Sequence, residues 1–273
     1  MREAAMTRYY DIGLNLFSRQ FPDPERILKN ARDAGVTCIL TGSDPEENEK
    51  IHTFTKTHTG VFGTAGIHPH NADEAREEYF CRIREILRDN PRVVAVGECG
   101  LDYNRMFSKK ENQISCLKRQ MDLAEELGKP LFLHERDAPA DLMRLFEDRK
   151  DLCRRAVVHC FTGDWDTLRG YIAMGFMIGI TGWICDERRA EALRDAVAAL
   201  PNDRFMIETD APYLTPKNIP GLSRVNVPEN IRYVAKDLAY YMSLSQKELE
   251  ECARQNTRRF FGLPEEEEFG VIE

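Results

Sequence analysis

Eight short apolar runs rich in β-branched residues recur along this chain, each followed by a segment of helical period, and that alternation restricts the folds open to it. Strands are read at 8–14, 36–41, 61–67, 93–98, 130–134, 156–160, 176–181 and 205–209. Helices fall at 23–34, 44–58, 73–89, 109–127, 138–149, 164–174 and 186–199, and two more, 228–241 and 246–260, follow the last strand. Repeats of this kind build parallel sheets, whose strands are buried on both faces and therefore read as unbroken apolar runs. Gly35, Gly60, Gly128 and Gly175 stand where helices end in a left-handed residue. The first strand runs into Asp11-Ile12-Gly13-Leu14-Asn15, which lacks the glycine-rich phosphate turn of an open doubly wound sheet. The pattern predicts a single (β/α)8 TIM-type barrel over 1–263 and an acidic, solvated tail over 264–273, where Glu265 to Glu268 follow Pro264.

Charge and cysteine content narrow the function classes. Forty-six acidic against 38 basic side chains leave a formal charge of −8, so a broad duplex-binding surface is not expected and a nucleic-acid substrate would need a local basic patch. None of the eight cysteines forms a CxxC pair, and several sit within strand runs as small hydrophobes, which favours a reducing cytoplasm. No run approaches the roughly 18 apolar residues of a membrane span. A soluble cytoplasmic monomer with no membrane or protein partner is the expectation.

In a parallel barrel the C-terminal strand ends gather at one mouth. Glu98, His134, His159 and Asp210 each close a different strand run, in VVAVGE, PLFLHE, AVVHC and FMIETD. Imidazoles and carboxylates bind a divalent ion while leaving positions for water and substrate, so these four read as a metallohydrolase site. Arg105, Arg136, Lys217 and Arg224 lie in loops on the same side and are candidate phosphate contacts. Trp183 and Tyr213 follow the seventh and eighth strands and are candidates for stacking a splayed base. Asp137 is read as a helix N-cap, Asp102 as a loop anchor, and Asp11 as reaching either the cavity or a buried partner.

The longer motifs carry a family resemblance. Thr64-Ala65-Gly66-Ile67-His68-Pro69-His70, Gly97 to Asp102, His134 with Arg136 and Asp137, His159 to Gly163, Ile180-Thr181-Gly182-Trp183, Glu208 to Tyr213, and Asn256 with Phe260 together resemble the TatD family of metal-dependent deoxyribonucleases, within the amidohydrolase-like barrels. The resemblance covers nearly the whole chain. It implies that Glu98, His134 and His159 bind metal and that Asp210 binds metal or serves as general base. His68 would contact the phosphate or protonate the leaving oxygen. The implied reaction is phosphodiester hydrolysis of single-stranded DNA, and of RNA as a further substrate, by 3′-to-5′ exonuclease action in DNA repair or turnover. The ion expected first is Mg²⁺, with Mn²⁺ and Zn²⁺ as alternatives.

Two departures from the wider family stand out. Gly13 and Asn15 occupy the positions of a strand-one Asp-x-His-x-His ligand pair, which the TatD branch similarly lacks, leaving a second metal position poorly supplied. Val227 replaces the Glu of an Arg-x-Asn-Glu-Pro segment that begins at Arg224 and includes Asn226. Two other readings stay open at this level: an amidohydrolase or lactonase acting on esters with the same ligands, and a non-catalytic scaffold barrel.

Overall fold

The computed structural model describes residues 7–264 and 270–272. Eight parallel strands form one sheet in chain order: β1 (Tyr9–Leu14), β2 (Val36–Leu40), β3 (Val61–Ala65), β4 (Val93–Asp102), β5 (Leu131–Arg136), β6 (Ala156–Val158), β7 (Met177–Ile180) and β8 (Phe205–Ile207). Closure between β8 and β1 is partial in backbone terms, with a single parallel bridge between Leu14 and Ala211. Side chains complete it: the Asp11 carboxylate accepts the Thr209 N–H at 2.8 Å and also the Thr209 hydroxyl. Asp11 therefore has the buried partner, and it stitches the barrel shut.

Helices coat the outside: α1 (Pro24–Asp33), α2 (Pro45–Thr57), α3 (Glu77–Asp89), α4 (Lys110–Leu127), α5 (Pro139–Phe146), α6 (Lys150–Cys153), α7 (Trp165–Met174), α8 (Glu191–Val197), α9 (Ile231–Tyr241) and α10 (Gln246–Phe261). Asp23, Asp44 and Asp164 cap α1, α2 and α7 by accepting backbone N–H groups, and Ser245 with Glu248 forms a capping box on α10. Each such cap stabilises its helix by about 1 kcal/mol. The four glycines read as helix stops have φ of 75°, 66°, 65° and 101°.

Several helices begin later than their apolar period suggests. Pro69–Glu74, Gly182–Cys185 and Pro228–Asn230 are short 3₁₀ turns ahead of α3, α8 and α9, because residues at the mouth must turn before the chain can run back along the barrel. The helix read over 138–149 stops early, at Phe146, as α5, and the separate short helix α6 lies beyond it. Asp137 is not an N-cap: Ala138 holds that position with no side-chain bond, and Asp137 has φ 55° and accepts from Asn104. In the tail, Gly270–Val271 pairs antiparallel with His58–Thr59, so this part adds a strand instead of lying free in solvent. The acidic run itself lies outside the described residues.

The core has two layers. One fills the space between strands and helices; the other lies inside the barrel, where all eight strands contribute, among them Tyr10, Ile39, Phe62, Val94, Phe132, Val157, Met177 and Met206. Phe261 and Leu263 join this inner layer from the end of α10. Alternation then sets what lies above the apolar plug. Two residues beyond Phe132, Val157 and Met206, and so on the same inward face, stand His134, His159 and Glu208.

Candidate metal centre

Glu98 is the hub of the mouth. It is 7% exposed, and its Oε1 lies 2.8 Å from His159 Nε2, 3.0 Å from His134 Nδ1 and 3.3 Å from His68 Nε2. Burial by itself would raise the Glu98 carboxyl, but the charges of His68 and His159 and the hydrogen bonds of His134 and His159 bring it well below the ordinary range. His159 moves the other way, held well above its usual value against the cost of burial by Glu98 and Glu208. His68 has less compensation, and burial lowers it. His68, Glu98 and His134 offer ligand atoms that all lie within 4.8 Å of one another.

A second layer of carboxylates holds these imidazoles. Asp102 uses Oδ1 to accept the N–H groups of Asn104 at 3.0 Å and Arg105 at 2.8 Å, as a loop anchor does. Its Oδ2 faces His70 Nε2 at 2.6 Å and His134 Nε2 at 3.3 Å. The latter contact lacks hydrogen-bond alignment, so His134 Nε2 is buried without a hydrogen-bond partner. Glu208 is fully buried, accepting the Cys160 N–H at 2.5 Å through Oε1 while Oε2 lies 3.3 Å from His159 Nδ1.

Glu208 also explains a departure seen in the sequence. A Cβ on Gly13 would overlap Glu208 Oε2, and one on Gly179 would come within 2.8 Å of Oε1. The space a strand-one histidine would need is filled by this carboxylate. Glu208 and His70 are not marked as functional by any pattern along the chain, apart from the place of Glu208 two residues past Met206 on the inward face.

Asp210 sits just beyond β8 with φ 53°, and its Oδ1 accepts from Asn15 Nδ2 at 3.0 Å. Burial pushes its carboxyl up to about 7, with His159 opposing and Glu208 and Glu98 adding to the rise. Asn226 pins this turn: it is buried and donates to the Thr209 carbonyl at 3.1 Å.

The phosphate-contact candidates divide. Arg136, at the end of β5, donates to Thr162 Oγ1 at 2.7 Å and has no carboxylate partner among the described residues. Arg105, Lys217 and Arg224 are exposed. Trp183 differs from a free stacking platform: Arg136 lies over its ring at 5.2 Å and Arg189 at 4.1 Å. Its indole braces the guanidinium. Tyr213, 52% exposed, keeps an open ring at the rim.

A closed parallel barrel with a buried carboxylate ringed by imidazoles at its C-terminal mouth defines a hydrolase of the metal-dependent barrel class. The family of TatD related DNases matches residues 10–262, and the chain belongs to that family. It is 42% identical over 259 residues to the 3′-5′ ssDNA/RNA exonuclease TatD of Pantoea vagans, covering 93% of this chain and 99% of that protein. It is also 42% identical over 256 residues to the protein of that name from Cronobacter sakazakii, covering 92% and 97%. Among solved structures, a TatD homologue from Escherichia coli K12 superposes with a TM-score of 0.86 at 27% identity, covering 94% of this chain and 99% of that one. A Listeria monocytogenes lactonase, at TM-score 0.62 and 13% identity over 94% and 95% of the two chains, shares the fold alone.

Proposed function

We propose that this protein is a metal-dependent exonuclease that removes nucleotides from the 3′ end of single-stranded DNA or RNA. The observation that carries this reading is Glu98 Oε1 with three imidazole nitrogens within 3.3 Å, at the mouth of a barrel whose 42%-identical relatives are named for that activity. The donor set, three imidazoles around one buried carboxylate, suits a divalent cation. Glu98, His134 and His159 would hold the ion, with His68 close enough to share it. When bound, such an ion supplies Lewis acidity toward a phosphoryl oxygen and makes water more acidic.

The protein's own groups do the rest. Asp210, its carboxyl raised into the neutral range, takes the proton of the attacking water. Arg136 holds a non-bridging phosphate oxygen, with its guanidinium aimed by Trp183 and Thr162. Glu208 and Asp102 fix the orientation of His159 and of the His134–His70 pair. Among the described residues no helix is long and apolar enough to cross a membrane.

The test is digestion of 5′- and 3′-labelled single strands across Mg²⁺, Mn²⁺ and Zn²⁺. The expected result is stepwise loss from the 3′ end, abolished in Glu98→Ala. Turnover of lactones or esters with no cleavage of oligonucleotides under any of the three ions would overturn the reading.

A further inference from the structure

Beside the metal centre lies a pocket of about 260 Å³ whose composition differs from that of a phosphate site. Two of its wall residues join it to the reaction centre. Asn15 donates to Asp210, and the Ser43 carbonyl accepts the His68 N–H at 2.8 Å. Its walls come from the loops after β1, β2 and β8 and from the first turns of α2, whereas Arg136 ends β5 and Thr162 and Trp183 follow β6 and β7. In a closed eight-stranded barrel those two sets face each other across the mouth.

The chemistry of the two sides is opposite. Among the described residues no arginine lines the pocket; its lysine, Lys50, is paired with Glu46 at 2.6 Å, and the charge of Arg19 also reaches Glu46. Asp44, Glu46 and Glu47 supply carboxyl groups, of which Glu47 is bonded to the Ser43 hydroxyl at 2.5 Å. Phe17 and Tyr213 give aromatic walls, and Asn15 and Ser18 add hydrogen-bonding groups. A volume at or below the small end of ligand pockets, roughly 300–1,000 Å³, admits one small group and excludes a duplex. Aromatic rings accept any base by stacking, while carboxylates and hydroxyls suit sugar hydroxyls and repel phosphate.

We propose that this pocket receives the 3′-terminal nucleoside of the strand, recognised as an uncharged, hydroxyl-bearing group, and that its carboxylates reject an end that carries a 3′-phosphate. The assignment rests on the exonuclease reading and deepens it. The scissile phosphate lies between the two sides, against the metal centre and Arg136, and a 3′-terminal nucleoside that ends in a hydroxyl has no phosphate beyond it. End recognition then comes from charge as well as from shape. A strand passing through the pocket would have to place its next phosphate among Asp44 and Glu46, so interior bonds are disfavoured for the same reason.

The experiment compares two 5′-labelled strands of one sequence, one ending in a 3′-hydroxyl and the other in a 3′-phosphate, with Mn²⁺ present. The phosphate end, which carries close to two negative charges at neutral pH, should be cut with kcat/KM lower by about tenfold or more. In the double variant Asp44→Asn with Glu46→Gln, that ratio should narrow several-fold through a lower KM for the phosphate end. Asparagine at 44 preserves the α2 cap, and removing Glu46 frees Lys50. Tyr213→Leu should raise KM for the hydroxyl end. Equal rates for the two ends in the unaltered protein, or a ratio unchanged by the double variant, would overturn the pocket assignment while leaving the nuclease reading intact. Absence of cleavage of both strands under every ion would overturn both.

Discussion

Replacing Glu208 by glutamine changes one atom and should weaken metal binding without touching a ligand. In the native site Oε1 accepts the Cys160 N–H at 2.5 Å and Oε2 faces His159 Nδ1 at 3.3 Å, so Nδ1 carries the proton and Nε2 points at Glu98 and the metal position. Glutamine can satisfy only one of these two neighbours as an acceptor. If its oxygen stays on Cys160, its NH₂ meets His159 Nδ1 and drives the proton to Nε2, which can then no longer bind a cation. If the amide turns over, the Cys160 N–H is buried against a donor, at about 1–3 kcal/mol. Loss of a group that orients a ligating histidine typically weakens metal affinity by roughly 10–100-fold, or about 1.4–2.7 kcal/mol. With metal at a hundred times the native Kd, the native protein should gain about 2.7 kcal/mol of stability, and a variant a hundredfold weaker only about 0.4 kcal/mol. Calorimetric titration with Mn²⁺ or Zn²⁺, together with the metal-induced rise in Tm, measures both. A folded Glu208→Gln protein that binds metal within about twofold of native would refute the orienting role.

Three further outcomes follow from the geometry. Gly13→Ala places a Cβ against Glu208 Oε2 and should cost about 1–3 kcal/mol by thermal unfolding, so restoring the strand-one histidine should be worse still, not a gain of function. Arg136→Ala should raise KM for an oligonucleotide by about tenfold with a smaller change in kcat, and Trp183→Leu should act in the same direction but less, as a residue that only braces the guanidinium. Burial holds the Glu47 carboxyl up at about 7. A carboxyl raised on folding contributes its full share of stability below its unfolded value and loses it as pH climbs through the folded one. Glu47→Gln should accordingly raise Tm relative to the native protein at about pH 8 and not at about pH 5; the reverse order would contradict the sign.

Much of the site was legible because a barrel converts strand ends into neighbours. Once eight apolar runs were recognised, Glu98, His134, His159 and Asp210 had to rise toward one mouth. Distances among them were not legible, since these depend on strand tilt and register. Glu98 emerges as the centre of three imidazoles only when β3, β4, β5 and β6 are laid side by side. Residues whose role is to hold another residue were hardest to see. Asp102 and Glu208 carry no motif of their own that separates a structural carboxylate from an orienting one, and nothing along the chain marks Trp183 as the ring over which Arg136 and Arg189 lie.

What the sequence by itself determined is the architecture and the class of chemistry: apolar runs buried on both faces demand a parallel sheet, eight of them without a glycine-rich phosphate turn point to a closed one, and alternation with period two sets His134 and His159 above an apolar plug. Tertiary structure alone decided which carboxylates face which imidazoles, that Glu208 takes the space of a strand-one ligand, and that the mouth has an arginine side and a carboxylate side. The physical reason is range. Burial and periodicity are properties of neighbours along the chain, while charge pairing and steric exclusion act over a few ångströms between residues as far apart as Gly13 and Glu208.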